Sequence, residues 1–302
     1  MTELTELRRR IADNEVKGGS AFGRAVAEVI ALTAEAHAQA TPAELTAALD
    51  EACAWGITTK PSMTSVRAVA DLARATMHAQ GDGPGLSQAV VRAMRGFVAD
   101  SERAILALAQ AGTPLFRDGI TVMTHSFSES LINVLRHNMA GLDAAGILLT
   151  ESRPLRESRL MASMLADLPA GMTLFSDAGM GIAAPQADVA IVGADAILAD
   201  GSMANKTGSL PLALICREYG VPFYVAAELS KVHLGDSAEV DMEIRPDAEL
   251  VGDWDMAATG RVTVVNQFFE VVPAALITGY ITDGGLLAPA DCVAAARAPA
   301  AA

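Results

Sequence analysis

Asp195 stands ten residues ahead of the group Asn205-Lys206-Thr207-Gly208, and these residue types at that spacing suit proton transfer beside a bound anion. A carboxylate moves protons near neutral pH once its surroundings raise its pKa, and a helix start offers free N–H groups to a phosphate, with Lys206 adding a positive charge. The run Ala187 to Val192 is β-branched and apolar and reads as a buried strand, while Leu210 to Tyr219 has helical spacing. The carboxylate therefore falls just past a strand, with Asn-Lys-Thr-Gly opening the next helix. In an open α/β sheet that edge is where ligands sit. The same residues also fit a turn-forming aspartate and an ordinary helix cap, so local physics leaves both readings open.

The elements that must position these residues divide into two halves. Residues from about 4 to 111 read almost entirely as helix, with helices at 21 to 38, 42 to 54, 62 to 80 and 86 to 111. Thr41-Pro42-Ala43-Glu44 is a capping box with proline at the first helical position. The breaks are Trp55-Gly56, Lys60-Pro61 and Gly81-Asp82-Gly83-Pro84-Gly85. After Thr113-Pro114 short apolar strands alternate with helices, at 119 to 124, 145 to 150, 171 to 176, 188 to 193, 222 to 227 and near 261 to 265. The expected fold is α/β: an all-helical domain over 1–112, then a Rossmann-like, doubly wound parallel sheet over 113–302. The first five strands end in Thr124-His125-Ser126, Glu151-Ser152-Arg153, Ser176-Asp177, Asp195 and Glu228, which the topology gathers at one edge. Ser126 and Ser128 open a helix at 128 to 140, a second anion-friendly terminus. Residues 229 to 253 read as acidic and irregular, and the Ala- and Pro-rich tail from Ala288 to Ala302 as fraying.

Composition removes several classes of function. A net charge of −14 with 22 Lys and Arg argues against a nucleic-acid or acidic-membrane surface. Any phosphate site must be local. Cys53, Cys216 and Cys292 lack paired or metal-ligand spacing, which fits a reducing cytoplasm and gives no reason to expect a metal. The start lacks a signal-peptide core and no run of about 18 apolar residues occurs. Gly179-Met180-Gly181-Ile182-Ala183-Ala184 matches a dinucleotide fingerprint, but the strand beginning near Asp188 leaves no room for the crossover helix that motif opens. No cofactor is expected.

The block from Val192 through Asn205-Lys206-Thr207-Gly208 to Val221-Pro222-Phe223-Tyr224-Val225-Ala226-Ala227-Glu228 resembles the signature of one superfamily. That superfamily joins methylthioribose-1-phosphate isomerase, ribose-1,5-bisphosphate isomerase and the regulatory alpha, beta and delta subunits of eukaryotic translation initiation factor 2B. Asn14 to Gly23 is similar to its Val-Arg-Gly-Ala-Pro-Ala-Ile-Gly segment, with Lys17 before Gly18 in place of arginine. Thr59-Lys60-Pro61-Ser62 resembles its Thr-Arg-Pro-Thr, again with lysine for arginine. Lysine acts as a point charge where arginine clamps phosphate with two parallel bonds. Glu151 to Arg159 resembles Glu-Thr-Arg-Pro…Gln-Gly; Glu157 takes the place of the glutamine, and its charge needs Arg153, Arg156 or Arg159 to offset it. Val265 to Pro273 is similar to Asn-x-x-Phe-Asp-x-Thr-Pro-Pro, with Glu270 for aspartate, and Leu276 to Gly285 continues the match to a C-terminal helix and turn.

The resemblance implies an aldose–ketose isomerase of a sugar 1-phosphate, of ribose-1,5-bisphosphate or 5-substituted ribose-1-phosphate type. Asp195 would be the acid/base and Ser126 would stand where the isomerases carry a catalytic cysteine. Lys17, Gly18, Lys60 and Arg153, with Glu157, Asn205 and Lys206, would bind the phosphorylated pentose. His125 would orient the turn. A serine hydroxyl is far less acidic than a thiol, so a second reading is a non-catalytic, sugar-phosphate-binding homologue like the initiation-factor subunits. Both readings imply a cytoplasmic homodimer or higher homo-oligomer paired through the C-terminal domain.

Overall fold

The computed structural model describes residues 2–61, 63–81, 83, 85–254 and 261–297. Ser62, the first residue of the expected helix 62 to 80, Asp82 and Pro84 of an expected helix break, and residues 298–302 of the expected tail lie outside the described residues. The chain divides into two compact units, residues 1–106 and 107–302, with the division inside one long helix.

The first unit holds α1 (Glu3–Ala12), α2 (Gly19–Ala36), α3 (Pro42–Thr59), α4 (Thr64–Gln80) and most of α5 (Leu86–Ala111). Thr41 and Glu44 cap α3 reciprocally, as the capping box requires. Helix α3 does not stop at Trp55-Gly56 but runs on to Thr59. Gly56 instead lets α2 approach, since a Cβ there would lie 2.8 Å from Val26 Cγ1. Val26, Ile30, Leu49, Cys53, Val66 and Val69 are fully buried between these helices, each aliphatic side chain contributing roughly 1.5–3 kcal/mol of burial free energy.

The second unit begins with β1 (Thr121–Thr124), α6 (Glu129–Met139), β2 (Gly146–Thr150), α7 (Ser158–Met164) and β3 (Gly171–Phe175). It continues with α8 (Met180–Ala183), β4 (Val189–Gly193), β5 (Ala196–Leu198), β6 (Met203–Lys206), α9 (Ser209–Tyr219), β7 (Phe223–Ala226), β8 (Val232–His233) and α10 (Asp247–Val251). Strands β9 (Phe269–Val272), β10 (Gly279–Thr282) and β11 (Gly285–Leu287) and helix α11 (Pro289–Arg297) complete it. The main sheet has seven strands in the order β11-β10-β7-β4-β1-β2-β3. All pairs are parallel except β10 with β11. Successive residues serve opposite faces: Met123, Val192 and Val225 pack with Leu212 and Cys216 of α9, while Val122, Ile191 and Ala226 pack with Leu131 and Leu135 of α6. Helices thus cover both faces, which makes the sheet doubly wound. The strand order reverses between β1 and β4, and the crevice beyond their carboxyl ends is the ligand position of such sheets.

Several elements differ from the sequence-based expectation. Residues 261–265 form no strand. Asn205 and Lys206 close strand β6 instead of opening a helix, because Ala196 to Lys206 folds as a hairpin in a second sheet, β8-β5-β6-β9. Strands β10 and β11 occupy the stretch where a C-terminal helix and turn were expected. The segment from Ala288 does not fray through 297, since α11 buries Cys292 and Val293.

Candidate active site

Strand β1 delivers Thr124, His125 and Ser126 to the carboxyl edge of the sheet. His125 is 2% exposed. Its Nε2 donates to the Thr207 carbonyl at 2.9 Å, which leaves Nδ1 to accept the Thr150 hydroxyl at 2.5 Å. Burial holds its pKa below the ordinary histidine value, so the ring is neutral and serves as a brace. The brace requires Gly208: a Cβ there would lie 2.4 Å from His125 Nε2, and the backbone has φ +112°. Gly193 is similarly fixed, since a Cβ would meet Ser128 Oγ at 2.4 Å.

Ser126 itself adopts φ +69°, a left-handed conformation that non-glycine residues avoid and that clusters at functional sites. Its N–H donates to Ser158 Oγ at 3.1 Å, and its hydroxyl donates to Glu157 Oε2 at 3.1 Å. The same Glu157 oxygen pairs with Lys206 Nζ. Lys206 is 3% exposed, and its ammonium lies 3.1 Å from the centroid of the Phe268 ring, a cation–π contact. Burial lowers its pKa, and Glu157 opposes that effect.

Asp195 follows β4, and its N–H donates to the Ala204 carbonyl at 3.0 Å across the neck of the hairpin. Part of the residue stays open to solvent, yet the protein around it is dense enough that burial pushes its carboxyl up to about 6. Lys231 and Lys206 oppose that rise, and Glu157 and Glu243 add to it. Beneath lies a buried pair that single-sequence reasoning missed. Lys231 Nζ lies 3.3 Å from Glu228 Oε2 and donates to the Ala194 carbonyl at 3.0 Å, and Ser130 Oγ donates to Glu228 at 3.1 Å. Only the position of Glu228 at a strand end pointed there.

The structure thus brings Ser126, Glu157 and Lys206 into direct contact, with Asp195 in their field. Asn205 precedes Lys206 on β6, and its amide donates to Ser209 Oγ at 2.8 Å. Arg156 and Arg159 pair with Glu151 and not with Glu157, so Lys206 supplies the offsetting charge expected of an arginine. The Arg153 side chain donates to the Leu250 carbonyl at 3.0 Å, and its N–H to Asp177 at 2.8 Å. The expected anion seat at the start of α9 is already filled: Glu270 Oε1 accepts from Gly208 N at 2.6 Å and Leu210 N at 2.8 Å. At the start of α6, Ser128 caps Leu131 N at 3.3 Å. Within the first unit, Lys17 is exposed and Gly18 has φ +89° at the uncapped start of α2. Lys60 Nζ bonds Asn14 Oδ1 and lies 4.6 Å from the Phe22 ring centroid, which ties the two lysine-bearing motifs together. Among the described residues no group of three or more His, Cys, Asp or Glu is arranged to hold a metal ion, and no helix is long and apolar enough to cross a membrane.

The chain is similar to ribose 1,5-bisphosphate isomerase of Haloferax volcanii, 36% identical over 211 residues that cover 69% of this chain and 65% of that protein, just under two thirds of its length. It is 28% identical to the protein of the same name from Pyrococcus furiosus over 296 residues, 95% of this chain and 91% of the other. Among solved structures, translation initiation factor eIF-2B of Pyrococcus horikoshii OT3 superposes with a TM-score of 0.82 at 29% identity, covering 97% of this chain and all of the other. The 5-methylthioribose 1-phosphate isomerase of the same organism gives 0.79 at 25% identity, covering 97% and 87%. The family model described as the initiation factor 2 subunit family matches residues 15–289, and the chain belongs to that family.

Proposed function

We propose that this chain is an aldose–ketose isomerase acting on a pentose with phosphate on its anomeric oxygen, of ribose-1,5-bisphosphate or 5-substituted ribose-1-phosphate type. The observation that carries this reading is Asp195, whose carboxyl at the carboxyl edge of the sheet is held up to about 6 beside Lys206. The names of the ribose 1,5-bisphosphate isomerases it resembles supply the substrate class.

Such a sugar is locked as a ring. Opening it breaks the bond from C1 to the ring oxygen, and that oxygen gains a proton. Forming the ketose then removes one proton from C2 and one from the C2 hydroxyl, and adds one to C1. A carboxyl raised toward neutrality suits the first step as an acid; once ionised, it carries the C2 proton to C1. Ser126 faces the hydroxyl proton. Asn205 and Lys206, with Arg153, hold phosphate and sugar oxygens, and Glu157 sets the charge between Ser126 and Lys206. Lys17, Gly18 and Lys60 are assigned phosphate or sugar oxygens on the resemblance alone. We place the enzyme in the cytoplasm as a homodimer paired through its second unit, where Met172, Leu174 and Ile182 are exposed.

Phosphorus and proton NMR of the protein with ribose 1,5-bisphosphate, methylthioribose 1-phosphate and 5-deoxyribose 1-phosphate tests the reading. A ketose signal is expected that Asp195→Asn abolishes. Shifted sugar signals without conversion would overturn catalysis and favour the regulatory sugar-phosphate-binding reading, which the missing thiol at Ser126 supports.

A further inference from the structure

The Ser126 hydroxyl shares an acceptor oxygen with a buried ammonium, an arrangement that isomerisation by Asp195 alone does not require. We infer that Ser126 and Glu157 form one proton-transferring unit, in which the Glu157 carboxylate holds the proton that passes through the Ser126 hydroxyl. This rests on the isomerase reading above and deepens it.

Geometry is the first support. Ser126 Oγ lies 3.1 Å from Glu157 Oε2 with the hydroxyl donating, and the φ of +69° and the bond from Ser126 N to Ser158 Oγ hold the serine in place. Chemistry is the second. A serine hydroxyl becomes useful when a base adjoins it, and a carboxylate is a base where a glutamine is not. Against the isomerase pattern the thiol has become a hydroxyl and the amide a carboxylate, and the two altered residues touch. Together the two changes set a carboxylate acceptor against the Ser126 hydroxyl.

The charges facing Glu157 fit this task. Lys206 at the end of β6 pairs with it; Asp195 beyond β4 and the neutral His125 beyond β1 lie in the same field. On its own segment, Arg156 and Arg159 are turned to Glu151 and Arg153 to the Leu250 carbonyl. As the carbonyl forms at C2, the substrate O–H and Ser126 Oγ–H bonds break, and new Oγ–H and Oε2–H bonds form. The electron pair of the substrate O–H becomes part of the C2 carbonyl. Glu157 then releases its proton to solvent and Asp195 takes one up, which resets the enzyme.

Glu157 is therefore a positioning residue that acts through the Ser126 hydroxyl. Glu157→Gln is expected to lower kcat about 100-fold with KM within about threefold. Glu157→Asp should keep at least about a tenth of the parent kcat, and the double change Ser126→Cys with Glu157→Gln should recover at least about tenfold of the lost rate. A kcat unchanged in Glu157→Gln overturns the inference. A second measurement needs no turnover: the thiol introduced by Ser126→Cys is alkylated with iodoacetamide across pH, with Glu157 present or changed to Gln. The carboxylate is expected to raise the thiol pKa by at least about one unit. Equal thiol pKa values overturn the coupling; a raised value in a protein that converts no sugar 1-phosphate upholds the coupling and refutes the isomerase reading.

Discussion

Asp195 makes opposite demands on stability and on catalysis. A carboxyl whose folded pKa of about 6 lies above its ordinary value of 3.8 binds extra protons in the folded state. The fold therefore loses stability as pH rises through that window, and the loss persists above it. Asp195→Asn should stabilise the protein by roughly 1–3 kcal/mol at pH 7.5 and by nothing at pH 3.5, read by chemical denaturation at both. The same titration governs rate, since ring opening needs the protonated acid: kcat/KM should fall as pH rises through about 6, and a flat profile there would remove Asp195 from the acid role. At this scale the place of Asp195 just past β4 was legible, because the short apolar run before it reads as a strand; that Asn205 and Lys206 close a strand instead of opening a helix was not. The contact of Glu157 with Lys206 was not legible, because it joins residues 49 positions apart through two different connections.

Among the elements, α9 depends on a residue far along the chain. Glu270 on β9 reaches the N–H groups of Gly208 and Leu210, doing from 62 residues away what a local cap does from three. Glu270→Ala should cost about 1–2 kcal/mol of unfolding free energy, measured by urea denaturation. An unchanged unfolding free energy would contradict the cap. Strands β1, β2, β4 and β7 were readable because parallel strands buried on both faces become continuous apolar runs, as in Val189 to Val192. The hairpin of β5 and β6 was not readable. Its strands are three and four residues long, and Asn205-Lys206 carries no strand preference; pairing to β8 and β9 holds it in place. Gly56 misled for a related reason, since a glycine that admits a neighbouring helix looks in sequence like one that ends its own.

For the molecule as a whole, one set of apolar residues left uncovered lies on edge strand β3 and the short helix that follows it. Leu174 is 50% exposed and Ile182 69% exposed, and an open apolar edge invites a second copy of the chain. The proposed homodimer predicts that the parent protein sediments as a dimer at micromolar concentration and Leu174→Glu as a monomer; a dimer unchanged by the substitution would place the pairing elsewhere, and a monomeric parent would refute the dimer. The succession of a helical region by an α/β region was legible from the change of period, because helices and strands bury their faces at different spacings, while the two compact units meet after residue 106, inside α5. The hairpin neck bears on how this gene tolerates error. Ala196 pairs with Ala204 and Ile197 with Met203, so side chains in these two strands alternate in direction. Losing one codon between 203 and 205 would turn Lys206 away from Glu157 while leaving composition almost untouched. Such an in-frame deletion would abolish the proposed activity, whereas a substitution of exposed Asp200 at the hairpin tip would remove its bonds to Ser202 N and Oγ but leave the residue count of the hairpin unchanged.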